Sequence, residues 1–565
     1  TGTSSLNGDV TSSSTQDYTG NVTVDSDITL TTTDSQITFT GTVNSEATEA
    51  NDLTISVGTS EVEFDSAVGG DTSLGAIDIT GALDLDAAIT SASSLSVSTT
   101  SNLAANVTTS GTQTYYGAVT LSGAARTLTT AGSAVTFSNT VNGAQDLTVD
   151  TTNSGGSSAA TVQFGGVVGG TTPVGAIIIT GNLDLNADIL QSDNTAGATS
   201  INVSGTSDLG ANVKTTDNQT YTGNTTVSAD ITLTGGAQLT FTGTVNSSSS
   251  GDPLTSDTNN LSTIFTETAF EKRVGGSNGL GDIDITGSLS LDSAIVEARS
   301  LSVLTTSEIH ADITTSGNQE FTDDVTLNQN VTFTTTSNGN VTFRGNINGA
   351  KILEITTNGT GDVSVTGSIG NSTGLTGLTV STDDFDAVAI KVGGDISITN
   401  TDTSSSTISG VISDNGVTAA TFTKAGTGTL TLTATNTYTG LTTVSAGTLT
   451  LDQASNTTGT VIKDTSAVTV NGGILDLDDS TETVGTLTLT SGSITGTDNT
   501  ITGSSYVINP SSGTVTISAN LGGTGIDLTK SGNGIYLSSG SHTYTGTTTL
   551  TAGTLLAGVA SSGSI

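Results

Sequence analysis

A tetrapeptide built around an aromatic residue returns along this chain about every 100 residues, and that recurrence restricts the fold to an array of like units. It reads DYTG at 17–20, TYYG at 114–117, TYTG at 220–223 and EFTD at 320–323, then TYTG again at 437–440 and 543–546. A second marker keeps step with it: TFTGTVN at 38–44, TFSNTVN at 136–142, TFTGTVN at 240–246 and TFRGNIN at 342–348. A third is Val68-Gly69-Gly70, repeated as Val168-Gly169-Gly170 and Val274-Gly275-Gly276. Arrays of this kind supply surface and length more readily than a catalytic pocket.

The units are strands. Apolar residues alternate with polar ones in short runs (Val22 and Val24, Ile28 and Leu30, Ile37 and Phe39, Ile77 and Ile79), and Gly, Asn, Asp and Ser break the runs. Three prolines in 565 residues leave the ladders almost uninterrupted. In the first copy the alternation places strands near 22–24, 28–30, 37–43, 53–57, 62–68, 77–79, 83–89 and 95–97. Three such strands use roughly 20–25 residues, the size of one turn of a parallel β-helix, so each copy holds four or five turns. The fold class is all-β. The expected organisation is four superrepeats (about 1–105, 106–211, 212–313 and 314–415) followed by a second solenoid segment over 416–565. Phe39, Phe137, Phe241 and Phe343 lie several turns apart, so they are expected to fill one internal position in each copy without stacking on one another. The glycines at 69–75, 169–175 and 275–281 mark tight corners. Residues 247–273, which hold a proline, two phenylalanines and the pair Lys272-Arg273, break the pattern and read as a loop or lateral bulge.

The net charge of −41 leaves no basic stripe for nucleic acid and disfavours an anionic membrane surface. The acids are scattered, which reads as a solvated, self-repelling surface. The absence of cysteine removes disulfides and thiolate metal sites. The sequence does not open on Met and contains no signal peptide or membrane-spanning run, as a processed product or a fragment would not. Neither the opening TGTSSLNGDVTSSS nor the closing TAGTLLAGVASSGSI reads as a cap. The chain is therefore expected to continue lengthwise, in a longer polypeptide or by end-to-end contact with copies of itself.

Two segments carry a more specific signature. Residues 422–451 read FTKAGTGTLTLTATNTYTGLTTVSAGTLTL, and 528–557 read LTKSGNGIYLSSGSHTYTGTTTLTAGTLLA. The shared skeleton, TK-x-G-x-G, then NTYTG or HTYTG, then a strand ending in AGTL, resembles the passenger-associated repeat of bacterial autotransporters. The upstream copies resemble repeats of very large haemagglutinin-type surface adhesins. The resemblance implies a secreted passenger that folds as a right-handed parallel β-helix and is displayed on the bacterial surface. Adhesion to surface glycans or to a host or neighbouring cell would follow, with no nucleic acid and no membrane insertion of this segment.

Catalysis has few resources. His310 and His542 lie more than two superrepeats apart, and His542 reads as a tolerated surface substitution. Asp383, Asp384 and Asp386 could serve a carbohydrate-active β-helix as paired carboxylates, but read as a solvated turn. No catalytic or cofactor-binding residue is assigned. Calcium is the one cofactor considered. Gly522-Gly523-Thr524-Gly525-Ile526-Asp527 fits the opening of a calcium nonapeptide in a single copy, and Leu475-Asp476-Leu477-Asp478-Asp479 alternates with its acids outward. Asp527, Asp476 and Asp478 are thus weak calcium candidates beside the plainer readings of a glycine corner and a wet strand face. A third function class, an ice-binding face of T-x-T ranks (Thr29 and Thr31, Thr38 and Thr40, Thr429 and Thr431, Thr486 and Thr488), is disfavoured because the pairs do not recur at single-coil spacing.

Overall fold

The computed structural model describes residues 2–153, 156, 159–249, 258–402, 405–452, 460–478 and 480–557. Among them every regular element is a strand, and the strands wind a parallel β-solenoid of about 25 turns. The chain divides into two compact units, Thr1–Ser288 and Leu289–Ile565.

In the first unit, residues of like kind stack in register from coil to coil. One column runs Tyr18, Phe39, Phe64, Leu85, Leu103. A second runs Leu30, Ile55, Ile79, Val97, Tyr115, Phe137, and a third Val107, Leu128, Val149, Ile179, Val203, Tyr221, Phe241. Apart from Tyr18, which is half-buried, the columns are buried, with exposures of 2% or less for members such as Phe39, Ile79 and Val203. Alternation delivers this directly, because every second side chain of a strand points inward.

The two aromatic markers are neighbours in space. Tyr18, Phe39 and Phe64 form a stack with ring centroids 5.0 Å apart, and Tyr115–Phe137–Phe164 and Tyr221–Phe241–Phe270 repeat it at 5.2–5.4 Å. Offset stacking of this kind adds about 0.5–1.5 kcal/mol per pair beyond burial. The equivalent phenylalanines of different copies do not touch, as expected. They do not share one internal position, however: Phe39, Phe137 and Phe241 lie in three different columns. The reason is arithmetic. Four coil steps from Tyr18 reach Leu103, and Tyr115 lies two strands further on, past Val107–Thr109 in Gln113–Tyr115. A copy is therefore a non-integral number of coils, and the remainder carries the motif to the next face.

The glycines that close TYTG and TFTG also stack. A Cβ on Gly41 would lie 2.4 Å from the Gly20 carbonyl carbon, and one on Gly243 would lie 2.2 Å from the Gly223 oxygen, so these corners admit no side chain. Gly69, Gly169 and Gly275 have φ of 70°, 72° and 74°, the left-handed corners that the Val-Gly-Gly marker predicts.

Part of the pattern break at 247–273 is core. Residues 250–257, including Pro253, lie outside the described set, but Leu261–Ile264 and Glu267–Phe270 are coil strands. Phe270 is wholly buried on Phe241, and Phe265 covers Gly235, where a Cβ would sit 2.3 Å from its ring. The loop reading fails for 261–264 and 267–270 because these segments pair in register with Ile231–Thr234 and Gln238–Phe241 of the coil before. Lys272 and Arg273 are exposed.

In the second unit the ladders again run parallel from coil to coil. T-x-T pairs do meet here at single-coil spacing: Thr429 and Thr431 lie directly on Thr448 and Thr450, and Thr423, Thr443, Thr469 and Thr488 form one rank. Steps of 20, 26 and 19 residues separate that rank, so a search at fixed interval misses it.

One buried polar device recurs beside the aromatics. Gln113 is fully buried; its Nε2 donates to the carbonyls of Val107 (3.3 Å) and, one coil on, Thr129 (2.9 Å), and to Thr109 Oγ1 (3.2 Å). Its Oε1 accepts the Tyr115 hydroxyl at 3.3 Å. Gln16 with Tyr18 and Gln219 with Tyr221 repeat the clamp. In the fourth copy the tyrosine is Phe321: Gln319 keeps its donor contacts, but its buried Oε1 has no partner. Phe333, at the column position held by Leu128 and Leu233 in earlier copies, meets Phe321 edge-on at 5.5 Å. Restoring both residues of the earlier copies, Phe321→Tyr with Phe333→Leu, should recover the lost hydrogen bond. A double-mutant cycle in urea should show a favourable coupling of about 1 kcal/mol, with Phe321→Tyr alone gaining less.

Candidate functional site

The two TK-x-G-x-G segments place a lysine inside the solenoid. Lys424 and Lys530 have no exposed surface, occupying column positions after Ile398 and Ile508. Neither forms an ion pair with a carboxylate among the described residues. Instead Lys424 Nζ donates to the carbonyls of Ala425 (2.6 Å) and Gly426 (3.1 Å), and to Ala446 of the next coil (3.4 Å). Lys530 repeats this with Ser531 (2.8 Å), Gly532 (2.9 Å) and Ala552 (3.2 Å). The AGTL element is thus the far half of the lysine site. Gly447 and Gly553 turn with φ of 60° and 78°, and a Cβ on either would lie 2.8 or 2.7 Å from the ammonium nitrogen. Burial lowers the Lys424 pKa to about 8 and moves Lys530 in the same direction.

The TYTG of these segments differs from the upstream one. Tyr438 and Tyr544 lie between strands, and their hydroxyls pair with Thr442 and Thr548 at 2.7 and 2.8 Å, with no glutamine clamp. Two residues before each tyrosine stands an acceptor for the preceding coil. Asn436 Oδ1 accepts the Ile412 N–H at 2.7 Å, and at the matching place His542 Nδ1 accepts the Leu521 N–H at 3.0 Å. His542 is therefore a half-buried structural acceptor and not a surface substitution; its imidazole nitrogen replaces the amide oxygen. The same bond decides its chemistry. With Nδ1 bound as acceptor and burial holding the ring neutral, the proton sits on Nε2, which faces Ser538 Oγ. The ring offers that serine a donor, so it cannot act as its base.

The Asn436 site continues to a buried acid. Asn436 Nδ2 donates to the Val461 carbonyl at 3.0 Å, and the Val461 and Ile462 N–H groups donate to Glu482 Oε1 (2.8 Å) and Oε2 (3.1 Å). Glu482 is fully buried, and burial, opposed by these two bonds and assisted by Asp464, pushes its pKa up from 4.5 to about 7.

Many other acids act as inter-coil acceptors. A corner Asp or Asn takes a backbone N–H from the following coil: Asp27 from Asp52 (2.9 Å), Asp146 from Ala176 (2.8 Å), Asn212 from Thr232 (2.8 Å), Asn340 from Asp362 (2.9 Å). Asp386 does the same for Thr407 at 3.0 Å, while Asp383 takes the Thr401 hydroxyl (2.8 Å) and Asp384 the Ser406 hydroxyl (2.5 Å). The trio thus makes cross-coil bonds from a corner that stays wet, with Asp383 and Asp384 half-exposed and Asp386 exposed. Burial, then Asp384, raises the Asp386 pKa. Among the calcium candidates, Asp527 Oδ1 accepts the Thr547 N–H at 2.7 Å, after a corner where Gly523 and Gly525 have φ of 104° and 75°. Asp476 Oδ1 accepts the Thr495 hydroxyl at 2.9 Å, and Asp478 has φ of 42°. Asp476 and Asp527 stand in different columns; Asp479 lies outside the described residues. A grouping that the sequence did not suggest is Glu63, Asp65 and Asp86, whose carboxylates come within 4.8 Å of one another. The alternation Glu63-Phe64-Asp65 over Asp84-Leu85-Asp86 could have signalled it. Burial, then Asp65, raises the Glu63 pKa, and Gln36 (2.9 Å) and Thr38 (3.2 Å) donate to its Oε2.

The pentapeptide Gly370-Asn371-Ser372-Thr373-Gly374 has the nucleophile-elbow spacing without its strand–turn–helix setting. Ser372 Oγ donates to Asn348 Oδ1 at 3.0 Å. His310 faces Asp292 at 3.4 Å, on coils remote in sequence from His542.

Replacing Lys424 or Lys530 by Met strands three carbonyl oxygens and should cost on the order of 2–3 kcal/mol each, read as a lowered urea midpoint. Glu482 makes stability pH-dependent. Its folded-state pKa is raised, so the folded chain keeps a proton that the unfolded chain loses; stability falls as pH rises from about 4.5 to about 7 and stays lower above. Glu482→Gln removes that loss. Because its NH2 group faces one of the two backbone N–H donors, the variant loses one of these bonds, but its stability should stay flat between pH 4.5 and 7 where the parent's falls by about 3 kcal/mol, measured by denaturant titration across the range.

The model of the passenger-associated-transport-repeat family matches residues 422–451 and 528–557, the two segments that hold the lysine sites. The chain is also similar to a protein described as "Adhesin BmaC autotransporter" from Brucella suis biovar 1 (strain 1330), at 41% identity over 96 residues. That stretch is 17% of this chain and 2% of the relative. No solved structure matches the chain. Family repeats in register with the coils, an all-strand solenoid and the partial match to an autotransporter adhesin together support an autotransporter passenger built of repeats.

Proposed function

We propose that the chain is an extracellular structural and adhesive segment that presents a solenoid surface from a bacterial cell. The observation that carries this reading is the placement of the passenger-associated repeats: lysine, glycines and AGTL turn join one coil to the next. Groups that might do chemistry are similarly committed. His542 and the Asp383–Asp386 acids hold backbone or hydroxyl partners of neighbouring coils. What remains outward is a polar, acidic face with threonine ranks, suited to many weak contacts with surface glycans or a neighbouring cell surface. Contact with copies of itself would extend that surface.

Displaying the chain on a bacterial host through an outer-membrane barrel tests this reading. The displayed chain should be reachable by external protease and should raise adhesion to glycan arrays or cell layers above that of the empty barrel. Absence of any adhesion would overturn it. So would polysaccharide cleavage that disappears in Asp384→Asn. Electron microscopy of the purified chain in calcium-containing physiological salt should show end-to-end extension, and strictly single particles would remove the self-association part.

A further inference from the structure

Asparagine followed by glycine is where a chain most readily attacks its own side chain, because glycine leaves the next amide nitrogen unhindered. Nine such pairs occur here. The fold protects several by turning the side-chain oxygen away from its own peptide. Asn142 gives it to the Thr171 N–H (2.9 Å), Asn338 to Thr360 (3.1 Å) and Asn348 to Ser372 (2.8 Å), each on the following coil. Asn471 gives it to the Thr490 hydroxyl at 2.8 Å, and Asn415 to the Val417 N–H at 2.9 Å.

Asn358 is arranged differently. Its Oδ1 accepts the N–H of its own neighbour, Gly359, at 2.9 Å, which brings the nucleophilic nitrogen against the carboxamide it must attack. Asn358, Gly359 and Thr360 are exposed to water. Gly359 has φ of 67°, and a Cβ there would lie 1.9 Å from Asn338 Oδ1, so the corner cannot shield itself with a side chain. The departing amide nitrogen also serves the structure, since Asn358 Nδ2 donates to the Thr336 carbonyl of the preceding coil at 3.2 Å.

We propose that the Asn358–Gly359 corner is a site of self-modification, where the asparagine converts through a succinimide to aspartate and isoaspartate and releases a bond between adjacent coils. Hydroxide removes the Gly359 amide proton and the nitrogen attacks Asn358 Cγ. The new C–N bond closes the ring as the Cγ–Nδ2 bond breaks, and ammonia leaves with a proton taken from water. Water then opens the ring at either carbonyl, so the reaction consumes one water and releases one ammonia without any oxidant or reductant. The product places a carboxylate where a donor faced the Thr336 oxygen, turning attraction into repulsion. Isoaspartate further lengthens the main chain at the corner by one carbon.

Ageing the full chain in mildly alkaline buffer, with peptide mapping and enzymatic isoaspartate methylation as readouts, tests this. Conversion at Asn358 should run at least about tenfold faster than at Asn142, Asn338 and Asn348, equivalent to about 1.4 kcal/mol of barrier. In urea the rates should converge, because the advantage comes from the folded corner. Asn358→Gln should remove the methylation signal from that peptide and leave the others unchanged. Equal rates in the folded chain, or a lead for Asn358 that persists in urea, would overturn the proposal.

Discussion

A single coil of this solenoid cannot satisfy itself, and its completion by the next coil is the constraint on which the structure rests. Three short strands bury too little apolar surface to offset their chain entropy, and both of their edges are open. The next coil supplies the missing half of each interaction. The Gln113 clamp reaches forward to Thr129, the Lys424 ammonium reaches forward to Ala446, and the Asp27 corner accepts the Asp52 amide. These are three chemistries for one operation, in which a buried or half-buried polar group closes its hydrogen bonds across the coil boundary.

That operation changes the meaning of the acidic composition. Repulsion among 52 acids would disfavour a compact body if the acids were only solvated. Many instead take a main-chain N–H at a corner, a charge-assisted bond, and Asn alternates with Asp in the same role, as Asn212 and Asp146 show. The role needs an acceptor oxygen at a fixed offset, and both residues provide it. Charge is then free to be high on the outside while the corners stay bonded.

The passenger-associated repeats use the device in its most demanding form. A lysine with no exposed surface and no counter-ion would be costly if left unpaired. Three carbonyls, two of them from its own glycine turn, give it an enclosure that only glycine-rich backbone can form. Glu482 is the acidic counterpart, held by the backbone amides of Val461 and Ile462. Such groups hold coils in register and leave little inside the solenoid for substrate chemistry, which is why the functional reading turns to the outer face.

Strand class, coil size, glycine corners and the two lysine-bearing repeats were legible in the sequence because each is local: alternation, left-handed turns and a contiguous motif need no knowledge of what lies above or below. What the motif residues touch was not legible. Tyr18 and Phe39 look like two separate markers, yet they are one stack, since a variable corner sets how many residues separate neighbours in a column. The threonine ranks were hidden for the same reason, and so was the rotation of the aromatic motif from face to face, which depends on a fraction of a coil. Asn436 and His542 look dissimilar as letters and do one job, because only the register shows that each faces an amide of the coil before it. The sequence by itself determined that the chain stacks; the tertiary structure alone decided which residues meet, because contact is set by coil-to-coil register and corner lengths keep that register out of any fixed period.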